Sequence, residues 1–162
     1  MTHIPTRNEY TMNLSHLQHA IRIALEAEKL GNLPIGAVIT LDDRVIGAGG
    51  NTMLMPVHQP SRHAEIEALK SVPVELWPLA SEMTCYTTLE PCLMCLGTLL
   101  IHGLRRIVFG ASDPMGGGGV VLPHLPRYFK EHTSAIEWLG PVAPAECDPL
   151  FQRALARLGI SS

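Results

Sequence analysis

No apolar run in this sequence is long enough to cross a membrane. The most apolar stretch, Cys92 to Ile101, falls far short of a spanning helix. The N-terminus places Arg7 and Glu9 early and lacks the apolar centre of a secretory signal. Cysteine is scarce: Cys85, Cys92, Cys95 and Cys147 are the only four, and a Cys-x-x-Cys pair is too close to read as a disulfide framework. Reduced thiols without a targeting segment make the cytoplasm the expected location. Basic residues form no stripe: 12 stand against 15 acidic ones, for a net charge of −3. That balance weighs against tight, nonspecific polyanion binding and leaves room for a small docked substrate. Repeats, low-complexity tracts and dividing linkers are also missing. One compact domain over residues 1–162 is therefore expected, with residues 1–12 as a loose arm, and 46% hydrophobic residues supply its core.

The remaining pattern alternates helices and strands. Leu14, Leu17, Ile21, Ala24 and Leu25 follow helical spacing between Leu14 and Leu30, and Gly31 ends the run. Ala37–Thr40 and Val45–Ala48 read as a hairpin turning at Asp42-Asp43. After a loop from Gly49 to Pro60, Ser61 is the expected N-cap of a helix through His63 to Lys70. Met83–Thr88 reads as a strand, and Pro91 suits the first turn of a helix reaching His102. Arg106–Gly110 is a short strand, Leu122–Lys130 a helix interrupted by Pro123 and Pro126, Ser134–Trp138 a last strand, and Ala145–Leu158 a closing helix. This order predicts an α/β fold with helices on both faces of a sheet.

Chemistry concentrates in two short segments. His63-Ala64-Glu65 is followed, after 24 residues, by Glu90-Pro91-Cys92-Leu93-Met94-Cys95. The Cys-x-x-Cys pair by itself reads as a metal pair, a redox pair or two buried thiols. His-x-Glu upstream argues against a redox motif, and one imidazole with two thiolates can hold zinc with its fourth position open to water. Cys92 and Cys95 at a helix start share one face, where the helix dipole favours thiolate. For the acidic partner, helix spacing favours Glu67, four residues from His63, over Glu65. Cys85 and Cys147 read as small buried side chains. His16 and His19 lack a third ligand and read as surface or packing residues. Gly116 to Gly119 lacks the Lys-Ser/Thr of a phosphate loop and reads as a flexible rim.

From about Ile21 to Leu158 the chain resembles the cytidine deaminase-like zinc deaminases, within them the bacterial tRNA adenosine deaminase and free-base (guanine, cytosine) deaminase branch. The resemblance rests on Leu33-Pro34-Ile35-Gly36-Ala37-Val38, Asn51, His63-Ala64-Glu65-Ile66, Thr88 to Cys95, Arg106 to Ala111 and Glu146-Cys147. It implies a three-layer α/β/α sandwich with a five-stranded mixed sheet. It implies one Zn2+ per chain held by His63, Cys92 and Cys95, with Cys92 also positioning the attacking water, and Glu65 as the catalytic proton shuttle. Resemblance thus selects Glu65 and leaves Glu67 facing solvent. Asn51, the Ala64 N–H, Pro34 and Asp113 are the implied substrate-binding positions. The implied activity is hydrolytic release of ammonia from a nucleobase, tRNA adenosine deaminase-like, on a nucleobase, nucleoside or tRNA anticodon-loop substrate, by a homodimer.

Two departures bear on substrate. The tRNA enzymes of this branch commonly carry an acidic residue where this chain has Asn32, and a cation in the loop that here reads Ser112 to Gly117. Fewer cations mean weaker phosphate contacts, so a free base or nucleoside (guanine, adenine, cytosine or cytidine) is the alternative substrate. Arg127, Arg153 and Arg157 remain as candidates to hold an anticodon stem. From a different class, a non-catalytic zinc-stabilised binding module would need a fourth protein ligand, for which Cys85 is the candidate.

Overall fold

The computed structural model describes residues 12–132 and 135–161. Five strands, β1 (Gly36–Leu41), β2 (Arg44–Gly50), β3 (Thr84–Leu89), β4 (Arg106–Ala111) and β5 (Glu137–Leu139), form one sheet in the order β2-β1-β3-β4-β5. β1 runs antiparallel to both β2 and β3, whereas β3, β4 and β5 are parallel. The mixed sheet is thus the expected one. β1 and β2 turn through Asp42 and Asp43, both at positive φ, with Leu41 opposite Arg44. That is the two-residue hairpin turn whose twist matches the flanking strands.

The described residues form five α-helices, α1 (Leu14–Lys29), α2 (Ala64–Lys70), α3 (Leu93–His102), α4 (Arg127–His132) and α5 (Pro144–Leu158); all but α4, which buries no residue, cover the sheet. Strand residues alternate between the two faces. Ile39, Cys85, Ile107 and Phe109 pack with Ala68 and Leu69 of α2 and Leu99 of α3. Val38, Tyr86 and Val108 meet Leu17 of α1 on the other side. The α5 residue Cys147 lies against Gly110, on the α1 face. The layers are therefore α1 and α5, the sheet, then α2 and α3.

Several boundaries differ from expectation for local reasons. α2 begins at Ala64 with His63, not Ser61, as N-cap, because His63 is extended (φ −75°, ψ 156°). α3 begins at Leu93 with Cys92 as its extended N-cap, so Pro91 precedes the helix and is outside its first turn. The expected helix over 122–130 splits into a 3₁₀ segment, Gly118–His124, and α4; Pro123 and Pro126 cannot supply the N–H groups a continuous helix needs. A 3₁₀ segment at Val74–Glu82, with Pro78 inside it, was not expected. The last strand is displaced to Glu137–Leu139, and Ser134 lies outside the described residues. So do residues 1–11 of the expected arm, while Met12 packs against the α1-side core. His16 is buried and bonds Asp43 at 2.7 Å, which gives it a packing role at the hairpin.

α2 is held unusually close to β2. A Cβ on Gly49 would fall 2.6 Å from the Glu67 carbonyl carbon and nearer still to the Ala68 nitrogen. Main chain meets main chain there, so only a residue without a side chain fits. Gly49→Ala is expected to cost about 1–3 kcal/mol through overpacking, read as a lower denaturation midpoint. An unchanged midpoint would show that this close approach does not fix α2.

Candidate active site

The site forms where β3 and β4 end and α2 and α3 begin. Ligands of open α/β sheets commonly sit beyond the carboxyl ends of parallel strands. His63 and Cys92 are both extended N-caps, so each side chain projects past its helix rather than along it. Cys95, in the first turn of α3, turns back towards the same point. Nδ1 of His63 lies 3.6 Å from Sγ of Cys92 and 3.5 Å from Sγ of Cys95. Ligand atoms of these three residues lie within 4.8 Å of one another. Tetrahedral zinc, with bonds of about 2.3 Å to sulfur and 2.0–2.1 Å to nitrogen, separates those atoms by about 3.6 Å. The donor spacing and chemistry therefore fit a zinc ion. Cys85 is fully buried and outside this group among the described residues.

The thiols are already differentiated. Cys92 is lowered to about 4, first by its hydrogen bond with Cys95 and then by His63. The same hydrogen bond, followed by burial, pushes the Cys95 thiol up. The hydrogen bond to Cys92 raises His63. One thiolate is thus favoured before any metal arrives, and metal binding demands that form.

Glu65 is 3% exposed and lines a cavity of about 400 Å³ with His63 and Cys92. Its Oε1 accepts from the Thr87 hydroxyl at 2.9 Å, and its Oε2 accepts from the Cys95 thiol at 3.3 Å. Burial pushes its carboxyl up. Glu67 is turned elsewhere: its carboxylate binds Arg62 at 3.0 and 3.1 Å and Lys70 at 3.2 Å, with 14% side-chain exposure. These ion pairs correct the expectation of a solvent-facing residue. The spacing rule fails because His63, as an N-cap, is not itself helical, so its i, i+4 neighbour is not on its face.

Asn51 is also in the cavity wall and 2% exposed. Its Oδ1 accepts from Met53 N at 3.2 Å and Leu33 N at 3.4 Å, which fixes the amide. Its Nδ2 is then buried with no partner among the described residues. An unmet buried donor costs about 1–3 kcal/mol unless a ligand meets it. Ala64 lines the cavity as well, and its N–H belongs to the first turn of α2, where N–H groups have no intrahelical acceptor. Pro34 is buried and absent from the lining, whereas its neighbours Leu33 and Ile35 are in it. Asp113 lines the cavity, but its Oδ1 accepts Met115 N at 3.0 Å and Gly116 N at 2.9 Å. That carboxylate shapes its own loop.

Sequence reasoning passed over Thr87 and the α5 wall. Thr87 follows Cys85 by two residues and so shares the face covered by α2 and α3; strand alternation was the available signal. Phe151, Leu155 and Leu158 of α5 close the cavity together with Ile160. Nothing local ties them to a site whose other residues lie 35 to 127 positions earlier.

Comparison with known proteins agrees with this geometry. The family model of MafB19-like deaminases matches residues 12–136. The tRNA-specific adenosine deaminase of Haemophilus influenzae is 38% identical over 135 residues, 81% of this chain and 76% of that protein. A cytosine deaminase of Candida albicans is 37% identical over 97 residues, 59% of this chain and 64% of that protein. A solved structure from work on A-to-I editing by tRNA:A34 deaminases superposes with a TM-score of 0.70 at 30% identity, covering 85% of this chain and 99% of that one. The fold, the His63–Cys92–Cys95 cluster and these matches together identify the chain as a member of the MafB19-like deaminase family, a hydrolytic deaminase of the cytidine deaminase-like fold.

Proposed function

We propose that this chain is a zinc-dependent deaminase that removes the amine from a nucleobase of the adenine type, as the tRNA-specific adenosine deaminases it is similar to are named for doing. The observation that carries this reading is the cavity itself: a buried carboxylate, a fixed amide with a free N–H, and His63 and Cys92 of the His63–Cys92–Cys95 cluster face one space. Its volume lies within the usual range for small-ligand pockets.

His63, Cys92 and Cys95 would hold the metal, whose chemistry there would be to make a water acidic enough to serve as nucleophile, with Cys92 as the residue that positions it. Glu65 moves the protons. Burial raises its proton affinity, which makes the carboxylate a stronger base towards water and lets the carboxyl so formed give its proton to a ring nitrogen before serving the departing amine. Thr87 fixes one carboxyl oxygen, so the other keeps its aim. The Asn51 Nδ2–H and Ala64 N–H donate to acceptors of the base. Asp113 acts through its loop, and Pro34 acts by setting Leu33 and Ile35 in the wall.

Metal content and turnover separate these roles. Cys92→Ala and Cys95→Ala should each lose zinc, measured as metal per chain. Glu65→Gln should keep zinc and fold while ammonia release falls about a hundred- to ten-thousand-fold. Glu67→Gln should lose about 0.5–1 kcal/mol of stability with its ion pairs and leave turnover near wild type. Full zinc in both cysteine variants, or a swap between the two glutamates, would sink the assignment.

A second reading, a free base or nucleoside as substrate, is favoured by a specific observation. Each arginine suited to an anticodon stem is already engaged: Arg127 with Glu131, Arg153 with Glu28, and Arg157 with the Asn32 carbonyl. Exposed Met115, Leu158 and Ile160 line the cavity and add no charge there. Ammonia release across a salt series distinguishes the two. Phosphate contacts make tRNA turnover fall steeply with salt, whereas a neutral base shows little change. Weak tRNA turnover beside salt-insensitive activity on a base or nucleoside is expected. Efficient, salt-sensitive inosine formation in tRNA alone would overturn the second reading.

We also propose a homodimer packed through α3, supported by exposed Leu93 (63%) and Ile101 (68%) on that helix and by open space at Gly97. Light scattering should give twice the chain mass; a monomer mass for active protein would refute the dimer.

A further inference from the structure

Glu90 stands between the metal-binding segment and the glycine-rich loop, and nothing above gives its side chain a role. Its main-chain N–H extends the β3–β4 ladder by donating to the Ala111 carbonyl at 2.8 Å. Its carboxylate then crosses to the loop and collects three donors. Oε2 accepts Asp113 N at 3.0 Å. Oε1 accepts Gly119 N at 3.2 Å and the Trp138 indole Nε1 of β5 at 3.2 Å. Two main-chain contacts close the same seam: Gly118 N donates to Pro91 O at 2.7 Å, and Cys92 bridges to Gly117. The glycines are a consequence. A Cβ on Gly117 would lie 2.5 Å from Oε2, and one on Gly119 would lie 2.7 Å from Oε1. The expected flexible rim is in this structure tied at both ends to the residue beside the metal ligands.

We infer that Glu90 is a positioning residue, a carboxylate clamp that sets the Asp113–Gly116 wall of the cavity at a fixed distance from Cys92. The clamp needs acceptors at both oxygens. An amide at this position offers one oxygen only, and its NH₂ must face an N–H. The less costly orientation keeps the oxygen towards Gly119 and Trp138, where two donors meet, and turns NH₂ towards the Asp113 N–H. Asp113 is the residue whose own carboxylate caps Met115 and Gly116. Loss of that bond therefore loosens the Asp113–Gly116 segment of the wall, while the Gly118–Pro91 and Cys92–Gly117 contacts and the metal ligands stay in place.

The inference rests on the proposed deamination only in its kinetic arm, so the test has two independent readouts. In Glu90→Gln, hydrogen exchange at the Asp113 amide should accelerate by about tenfold or more, as expected for a lost charge-assisted bond, with zinc content unchanged. KM for the deaminated base should rise by about the same factor while kcat stays close to wild type, the pattern of lost binding that is equal in ground and transition states. Trp138→Phe removes a donor from Oε1 alone and should leave Asp113 protected. If Glu90→Gln does not fold, Glu90→Asp provides the same test: it keeps the charge but shortens the arm by one methylene, so the carboxylate no longer spans from Asp113 N to Gly119 N and Trp138 Nε1. Unchanged Asp113 exchange in a folded variant overturns the clamp. Faster exchange with an equal fall in kcat and unchanged KM overturns its role in placing the substrate wall. A wild-type protein inactive on every base, nucleoside and tRNA defeats the proposed function, and the exchange readout still decides the clamp.

Discussion

Everything at the site depends on bringing one imidazole and two thiols to a single point. The chain meets this constraint by starting two helices at the same edge of the sheet and leaving His63 and Cys92, two of the three candidate metal ligands, as extended N-caps. An N-cap side chain is free of the helical lattice and points past the helix end, where unpaired N–H groups and the helix dipole favour negative charge. Thiolate at Cys92 is favoured for that reason as well as through its hydrogen bonds with Cys95 and His63. The parallel pair β3–β4 makes the convergence possible, since its carboxyl ends open side by side.

Around that point the polar groups divide into fixed and free atoms. Thr87 holds one oxygen of Glu65, and the Leu33 and Met53 N–H groups hold the oxygen of Asn51. What remains unsatisfied, chiefly Asn51 Nδ2, is directed by those bonds. Such an arrangement would lower the cost of orienting the proposed substrate, because the protein atoms have already lost their freedom. The packing behind it is tight for the same reason. Gly49 lets α2 touch β2 backbone to backbone, which holds Glu65 over the end of the sheet. The Glu90 clamp does on the opposite wall what Gly49 does on this one: it fixes a distance.

The sequence by itself carried the donor set, the alternation of helices and strands, the hairpin turn at Asp42-Asp43 and the burial of Cys85 and Cys147, because each follows from local spacing or composition. Resemblance added the choice of Glu65 over Glu67, which spacing had reversed. Tertiary structure decided what depends on direction. Whether His63 is the last extended residue or the first helical one is a single dihedral, yet it determines which glutamate shares its space. Pro34 and Asp113 show the same limit. Resemblance implies both as substrate-binding positions, but one side chain is buried away from the cavity and the other is occupied by its own loop. The α5 wall, the ties of Arg153 and Arg157 and the three donors around Glu90 join residues 23 to 127 positions apart, and no periodicity links them. Composition and local pattern determine which chemistry is available; the direction of each side chain, fixed only when distant segments pack, determines which atoms are left to perform it.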